Sequence, residues 1–135
     1  MPQIEPGWVV FGKRDGEHLS MRLTEHTPDG WLRGVAEISA GPWSGEIPIE
    51  FFLNELSRFA AEIDKLYENL IGPARLDPLD PYLTLEMKGD GRRHIFVHGK
   101  APANSAMETY LTFCLELEQT QLPMIAKSLR AADAS

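Results

Sequence analysis

The hydrophobic period of this chain changes near its middle from that of strands to that of a helix, and this change most constrains the fold. Up to about Phe51 apolar and polar residues alternate, as they do in half-buried strands. From Leu53 the apolar residues recur every three or four positions, as on one face of a helix. The stripe consists of Leu56, Phe59, Ala60, Ile63, Leu66 and Leu70. The sequence therefore predicts an amphipathic helix in mid-chain, which Gly72-Pro73 ends.

Short alternating segments flank that helix. Four strands are predicted before it and three after it, followed by a second amphipathic helix that begins near Thr120. Pro48, in the strand EIPIEFF, has no N–H to donate, so this strand is predicted to lie at a sheet edge. Residues 74–80 are interpreted as a loop marked by proline. Strands that cluster before each helix indicate the α+β class, a mainly antiparallel sheet of about seven strands with two helices packed on one face.

Chain length and charge limit the organisation and the partners. A length of 135 residues suits one domain, so a single domain over residues 1–135 is expected, with residues 131–135 as a loose tail. The formal charge of −7 disfavours nucleic acid and anionic lipid as partners. A cationic protein is the electrostatic complement.

Cysteine content and hydropathy bear on the compartment. The single cysteine cannot form an internal disulfide, which favours a reducing compartment. No apolar run approaches the roughly 18 residues that a membrane span needs. The expected location is therefore cytoplasmic, without a membrane partner.

Candidate catalytic and metal-binding residues are few. His94 and His98 share a strand face, but residues four apart on a strand are separated by about 13 Å, too far to hold one ion unless Glu86 or Glu116 on a neighbouring strand completes a site. Carboxylates near Cys114 raise the pKa of its thiol, so a small half-buried hydrophobe is favoured over a nucleophile. No nucleophile, phosphate-loop or zinc motif is complete. The sequence predicts no catalytic residue, no metal site and no cofactor.

The two faces of the last predicted strand, YLTFCLELE, are predicted to have different surroundings. Its core-facing residues are predicted to be Leu111, Phe113, Leu115 and Leu117. The opposite face, with a neighbouring strand, carries the residues predicted to contact a partner: Glu86, Glu108, Tyr110, Glu116 and Glu118. Glu116 and Glu118 are about 7 Å apart as i, i+2 residues, a spacing that some hydrolases use and that any polar sheet face also produces.

The junction of the last strand and the last helix carries a family signature. Glu118-Gln119-Thr120, followed by Leu122, resembles a family of small bacterial proteins that includes the WapI-type toxin immunity proteins. The resemblance covers about residues 45–127, and it includes the helix pattern of Phe52, Glu55-Leu56, Phe59 and Glu62-Ile63 and the strand residues His94-Ile95 and Val97. The chain departs from the family pattern at Glu118, where relatives often carry Asp, and at Arg93, where they often carry Gly.

This resemblance implies a cytoplasmic, non-enzymatic protein that neutralises a cognate toxin by binding it, and it carries over no catalytic residues. Two other interpretations stay open. A small-molecule-binding or enzymatic domain would use a pocket near Trp31, Trp43, His94 and His98. A homo-oligomeric structural protein would use the Pro48 strand at its edge, although the sequence predicts no particular oligomeric state.

Overall fold

The chain folds into two four-stranded antiparallel sheets and two helices. The computed structural model describes residues 7–70, 72–79, 82–103 and 108–134. The first sheet has the order β1-β2-β3-β4, formed by Trp8–Gly12, His18–His26, Trp31–Ala40 and Trp43–Phe52. The second has the order β5-β6-β7-β8, formed by Ala74–Leu76, Thr84–Gly89, His94–Pro102 and Tyr110–Glu118. Helix α1 is Glu55–Asn69, and α2 is Leu122–Ala134, which follows a 3₁₀ turn at Gln119–Gln121.

One continuous hydrophobic core joins both sheets to both helices. Phe11 of β1 stacks on Phe59 of α1 with ring centroids 6.2 Å apart. The predicted α1 stripe is buried except for Leu70, which is half-buried at the helix C-cap. In β8, Phe113, Leu115 and Leu117 are buried and Leu111 is half-buried, whereas the alternate residues are exposed. The α+β class, the mainly antiparallel pairing and the two amphipathic helices are thereby confirmed.

The strand count differs from the expectation at residues 74–80. Ala74–Leu76 form β5, which pairs with β6 and makes an eighth strand in what was interpreted as a loop. Three residues are too few for an alternating pattern to be recognised. Tertiary contacts stabilise this short strand, since the Arg75 N–H donates to Glu62 of α1 at 2.9 Å on the edge away from β6.

The edge position predicted for the Pro48 strand is confirmed. β4 is the last strand of its sheet, and Pro48 lies opposite Val35 of β3. The Phe52 N–H donates to the Glu55 carboxylate rather than to β3. Along an antiparallel strand, successive residues direct their backbone N–H and C=O groups alternately toward and away from the neighbouring strand. Pro48 is four residues from Phe52, so its backbone also faces away from β3. The N–H that proline lacks therefore removes no hydrogen bond between β3 and β4.

The loose tail predicted for residues 131–135 is wrong for residues 131–134, which continue α2. Ala132 is buried, and its carbonyl accepts a hydrogen bond from His26 Nε2 at 3.2 Å. The Asp133 carboxylate accepts from the Ser57 N–H of α1 at 3.1 Å and from the Ser57 hydroxyl. Ser135 lies outside the described residues, and the extent of the domain over residues 1–135 stays a prediction.

The two sheets meet where β8 approaches β1 and the end of β3. Gln121 joins these parts, because its Nε2 donates to the Gly12 carbonyl at 3.2 Å and its Oε1 accepts from the Glu118 N–H at 3.2 Å. Neither helix in the described part of the chain is long and apolar enough to cross a membrane.

Candidate binding surface on the second sheet

The outward face of the second sheet brings most of the predicted contact residues together in cross-strand rows. Glu86, His98 and Cys114 form one row across β6, β7 and β8, and Arg75 extends it onto β5. A second row consists of Thr84, Lys100 and Thr112. A third consists of Lys88, Phe96 and Glu116. The members of these rows are exposed or half-buried, so the face is open to a partner.

A groove of about 580 Å³ follows the first two rows. Part of its lining comes from small or polar side chains of β6, β7 and β8, namely Thr84, His98, Thr112 and Cys114. Arg75, Glu86 and Lys100 also line it. Phe113 lies over Gly99 on the other side of the sheet, where a Cβ at Gly99 would come within 2.2 Å of the ring.

The charges on this face are mixed. Glu86 accepts a hydrogen bond from Arg75 Nε at 2.7 Å and lies 3.3 Å from Lys88 Nζ. These hydrogen bonds, that of Arg75 foremost, lower the pKa of Glu86 and hold it ionised. The charge of Glu86 is thus compensated by two neighbouring cations.

Acidic character is concentrated along β8. Glu116 and Glu118 are exposed on its outward face, and Glu108 is exposed just before the strand begins. Tyr110 is 43% exposed at the start of β8, and Lys100 Nζ lies 4.2 Å from its ring centroid. A phenol that also stacks a cation offers both apolar and polar contact area. Four of the five predicted contact residues therefore share the face, and Glu108 adjoins it.

The two histidines of β7 have different surroundings. His94 Nδ1 lies 3.2 Å from Asp90 Oδ2, and His94 Nε2 lies 3.8 Å from Glu116 Oε1. His98 instead lies between Glu86 and Cys114 in the groove. Among the described residues, no three His, Cys, Asp or Glu side chains are grouped closely enough to hold a metal ion.

The pocket suggested near Trp31, Trp43, His94 and His98 does not exist as a single site. Trp31 pairs with Phe52 at one end of the β3–β4 hairpin, and Trp43 pairs with Ala40 at the other. Along β3 these two ends are nine residue steps apart, which corresponds to about 30 Å. Both histidines lie on the other sheet. Of the four residues, only His98 lines the groove.

The groove was not predicted from the sequence. Thr84, Lys100 and Thr112 are ordinary residues of alternating strands, and only the pairing register brings them into one row. A register that aligned the buried faces of β6, β7 and β8 would have placed them together, because a one-residue slip turns every side chain to the other face.

Comparison with known proteins gives one family. A family model described as the immunity protein WapI-like family matches residues 10–134. No curated protein matches the chain.

Proposed function

Because the chain belongs to the WapI-like immunity protein family, we propose that it neutralises a cognate bacterial toxin by binding it directly, without catalysis. Family membership is the observation that carries this proposal. The match extends over residues 10–134, so it includes both helices and both sheets rather than one motif. A cytoplasmic location is part of the proposal, consistent with a chain whose single thiol is unpaired.

Net charge supports a basic partner. The chain carries 20 acidic and 13 basic side chains, and opposite net fields accelerate encounter between partners and reject competitors of like charge. Toxins that act on nucleic acid have cationic substrate surfaces, and such a surface is the expected counterpart. Acidic side chains of the immunity protein would then occupy positions that substrate phosphates take.

The predicted contact residues on the outward face of the second sheet are not equally good candidates for binding. Glu108, Tyr110, Glu116 and Glu118 stay candidates for contact because they are exposed along or beside β8. Glu86 is a weaker candidate, because a partner's cation would compete with Arg75 and Lys88 for its carboxylate.

Co-expression tests the function. The cognate toxin, sought among the genes beside that of this chain, is induced in cells that carry the chain or an empty vector, and an inactivated toxin serves as the control for expression burden. Growth is expected to be restored only by the chain. Continued growth arrest with the chain abundant and soluble would contradict the proposal.

A further inference from the structure

Three large apolar side chains are exposed together where α1 begins. Phe52 is 37% exposed, Leu53 54% and Leu79 75%. Phe52 ends β4, Leu53 follows it in the connection to α1, and Leu79 lies in the segment after β5. The ring of Trp31 meets that of Phe52 edge-on, with centroids 4.9 Å apart. These four residues are here called the α1 patch.

The carboxylate of Glu55 forms hydrogen bonds with two of the segments that carry the α1 patch. One oxygen of Glu55 accepts the Phe52 N–H, and the other accepts the Leu79 N–H at 2.7 Å. The backbones of Phe52 and Leu79 are therefore within reach of the same side chain. The patch is built from three separate segments, which carry Trp31, Phe52 with Leu53, and Leu79.

The backbone beneath the α1 patch is fixed by local bonds. The turn before Trp31 is closed by Thr27, whose N–H donates to the Trp31 carbonyl at 2.8 Å. Gly30 of that turn packs under the patch, since a Cβ there would lie 3.5 Å from the Phe52 ring and 3.6 Å from the Leu53 Cβ. A surface whose backbone is already ordered loses little conformational entropy when a partner binds.

Leu53 and Leu79 leave more than half of their surface in water. Turns ordinarily present polar residues, and adjacent large apolar residues left in water forgo the free energy that burial would provide. Exposed apolar patches rimmed by polar residues mark interaction sites. The sequence contains the signal in Phe51-Phe52-Leu53, because successive strand residues point to opposite faces and Phe51 is the one that is fully buried.

The rim of the α1 patch is predominantly acidic. The neighbouring carboxylates are those of Glu25, Asp29, Glu50, Glu55 and Asp77. The neighbouring guanidinium groups are those of Arg33 and Arg58. Arg33 is already paired, at 2.7 Å from Glu50 and 3.4 Å from Glu25. A hydrogen bond from Thr27 lowers the pKa of Asp29 and keeps it charged.

A pocket of about 270 Å³ adjoins the α1 patch. Its charged lining consists of three carboxylates and two guanidinium groups, from Glu55, Glu62, Asp77, Arg58 and Arg75. Phe59 and Leu76 form its apolar floor. A long side chain with an aliphatic stem and a cationic head matches this combination. Arginine and lysine have that form.

We propose that the α1 patch docks the toxin, in addition to any contact along β8, and that the toxin meets the patch with apolar side chains ringed by arginine and lysine, one of which enters the adjoining pocket. This assignment rests on the toxin-binding function proposed above. An apolar centre with a charged rim is the usual anatomy of a protein interface. A second copy of this chain is a poorer occupant, because symmetric pairing through the patch would bring two acidic rims together.

The test is a calorimetric titration of the toxin identified by the co-expression experiment, in inactivated form, into full-length variants of the chain. Leu53→Asp with Leu79→Asp changes two exposed residues of the α1 patch. The matched control is Tyr67→Asp with Met124→Asp, which places the same charges at exposed apolar positions elsewhere. Circular dichroism and thermal unfolding establish that each variant is folded.

The patch variant is expected to raise Kd at least about 100-fold, and the control variant by less than about 5-fold. Wild-type affinity in the folded patch variant would overturn the assignment while leaving the immunity function intact. Absence of binding by the wild-type chain would instead overturn the immunity function itself. A wild-type homodimer in sedimentation that the patch variant abolishes would also contradict a toxin-docking patch.

Discussion

Cys114 shows how the surroundings of a residue decide its chemistry. Although its side chain is exposed, partial desolvation of the thiol, together with the negative charges of Glu116 and Glu17, raises its pKa. Less thiolate is therefore present at neutral pH than in an unstructured cysteine. Its position in the groove does not make it a nucleophile.

Alkylation kinetics check this account of Cys114. The rate of iodoacetamide labelling, followed by mass spectrometry against pH, is expected to rise at higher pH than for a cysteine in an unstructured peptide. Glu116→Gln should move the profile to lower pH, because it removes one of the charges that disfavour the thiolate. A wild-type profile that matches the peptide's would contradict the account.

Gly34 is required by the close approach of two backbones. A Cβ at this position would lie 1.9 Å from the Arg22 carbonyl oxygen, beside the register shift between Leu23 and Glu25. Gly34→Ala is expected to reduce the free energy of unfolding by about 2 kcal/mol or more, because backbone must move to admit the methyl group. Gly45→Ala is the matched control on the neighbouring strand, where a Cβ meets nothing within 4 Å. Equal urea-unfolding curves for the two variants would refute this expectation.

At the scale of elements, α2 caps α1. The N-cap residue of α1, Asn54, makes no capping hydrogen bond through its side chain, whereas Asp133 of α2 accepts from the Ser57 N–H in the first turn of α1. Asp133→Ala should lower the free energy of unfolding by about 1–2 kcal/mol in urea titrations. Asp133→Asn, which keeps an acceptor oxygen, should lose less. Lys127→Ala, an exposed change on the same helix, serves as control, and equal stabilities of Asp133→Ala and Lys127→Ala would rule out the cap.

Elements in which the hydrophobic period repeats several times could be predicted from the sequence. Elements that depend on tertiary contacts could not. The α1 stripe and the alternation of β8 each involve several repeats of their period. β5 has three residues and depends on Glu62, a residue of another element. Residues 131–134 resemble a frayed end until the contacts of Ala132 and Asp133 are known. In each failure the stabilising partner is distant in sequence.

At the scale of the whole molecule, the surfaces depend on pairing register and on the meeting of separate segments. The outward placement of Tyr110, Glu116 and Glu118 could be predicted, since alternation within one strand fixes it. The neutralisation of Glu86 by Arg75 could not, because β5 was not recognised. The exposure of Phe52 is signalled by Phe51-Phe52-Leu53, but its proximity to Leu79 could not be predicted, because Glu55 bonds the two distant segments.

The central claim is that the chain neutralises its toxin by binding and not by chemistry. The most direct measurement is the activity of the purified toxin titrated with increasing amounts of this chain, with the intact mass of the toxin recorded at each point. The account predicts inhibition that is complete near one chain per toxin, an unchanged toxin mass, and recovery of activity when the two proteins are separated. Inhibition by trace amounts of chain, together with a changed toxin mass, would contradict it.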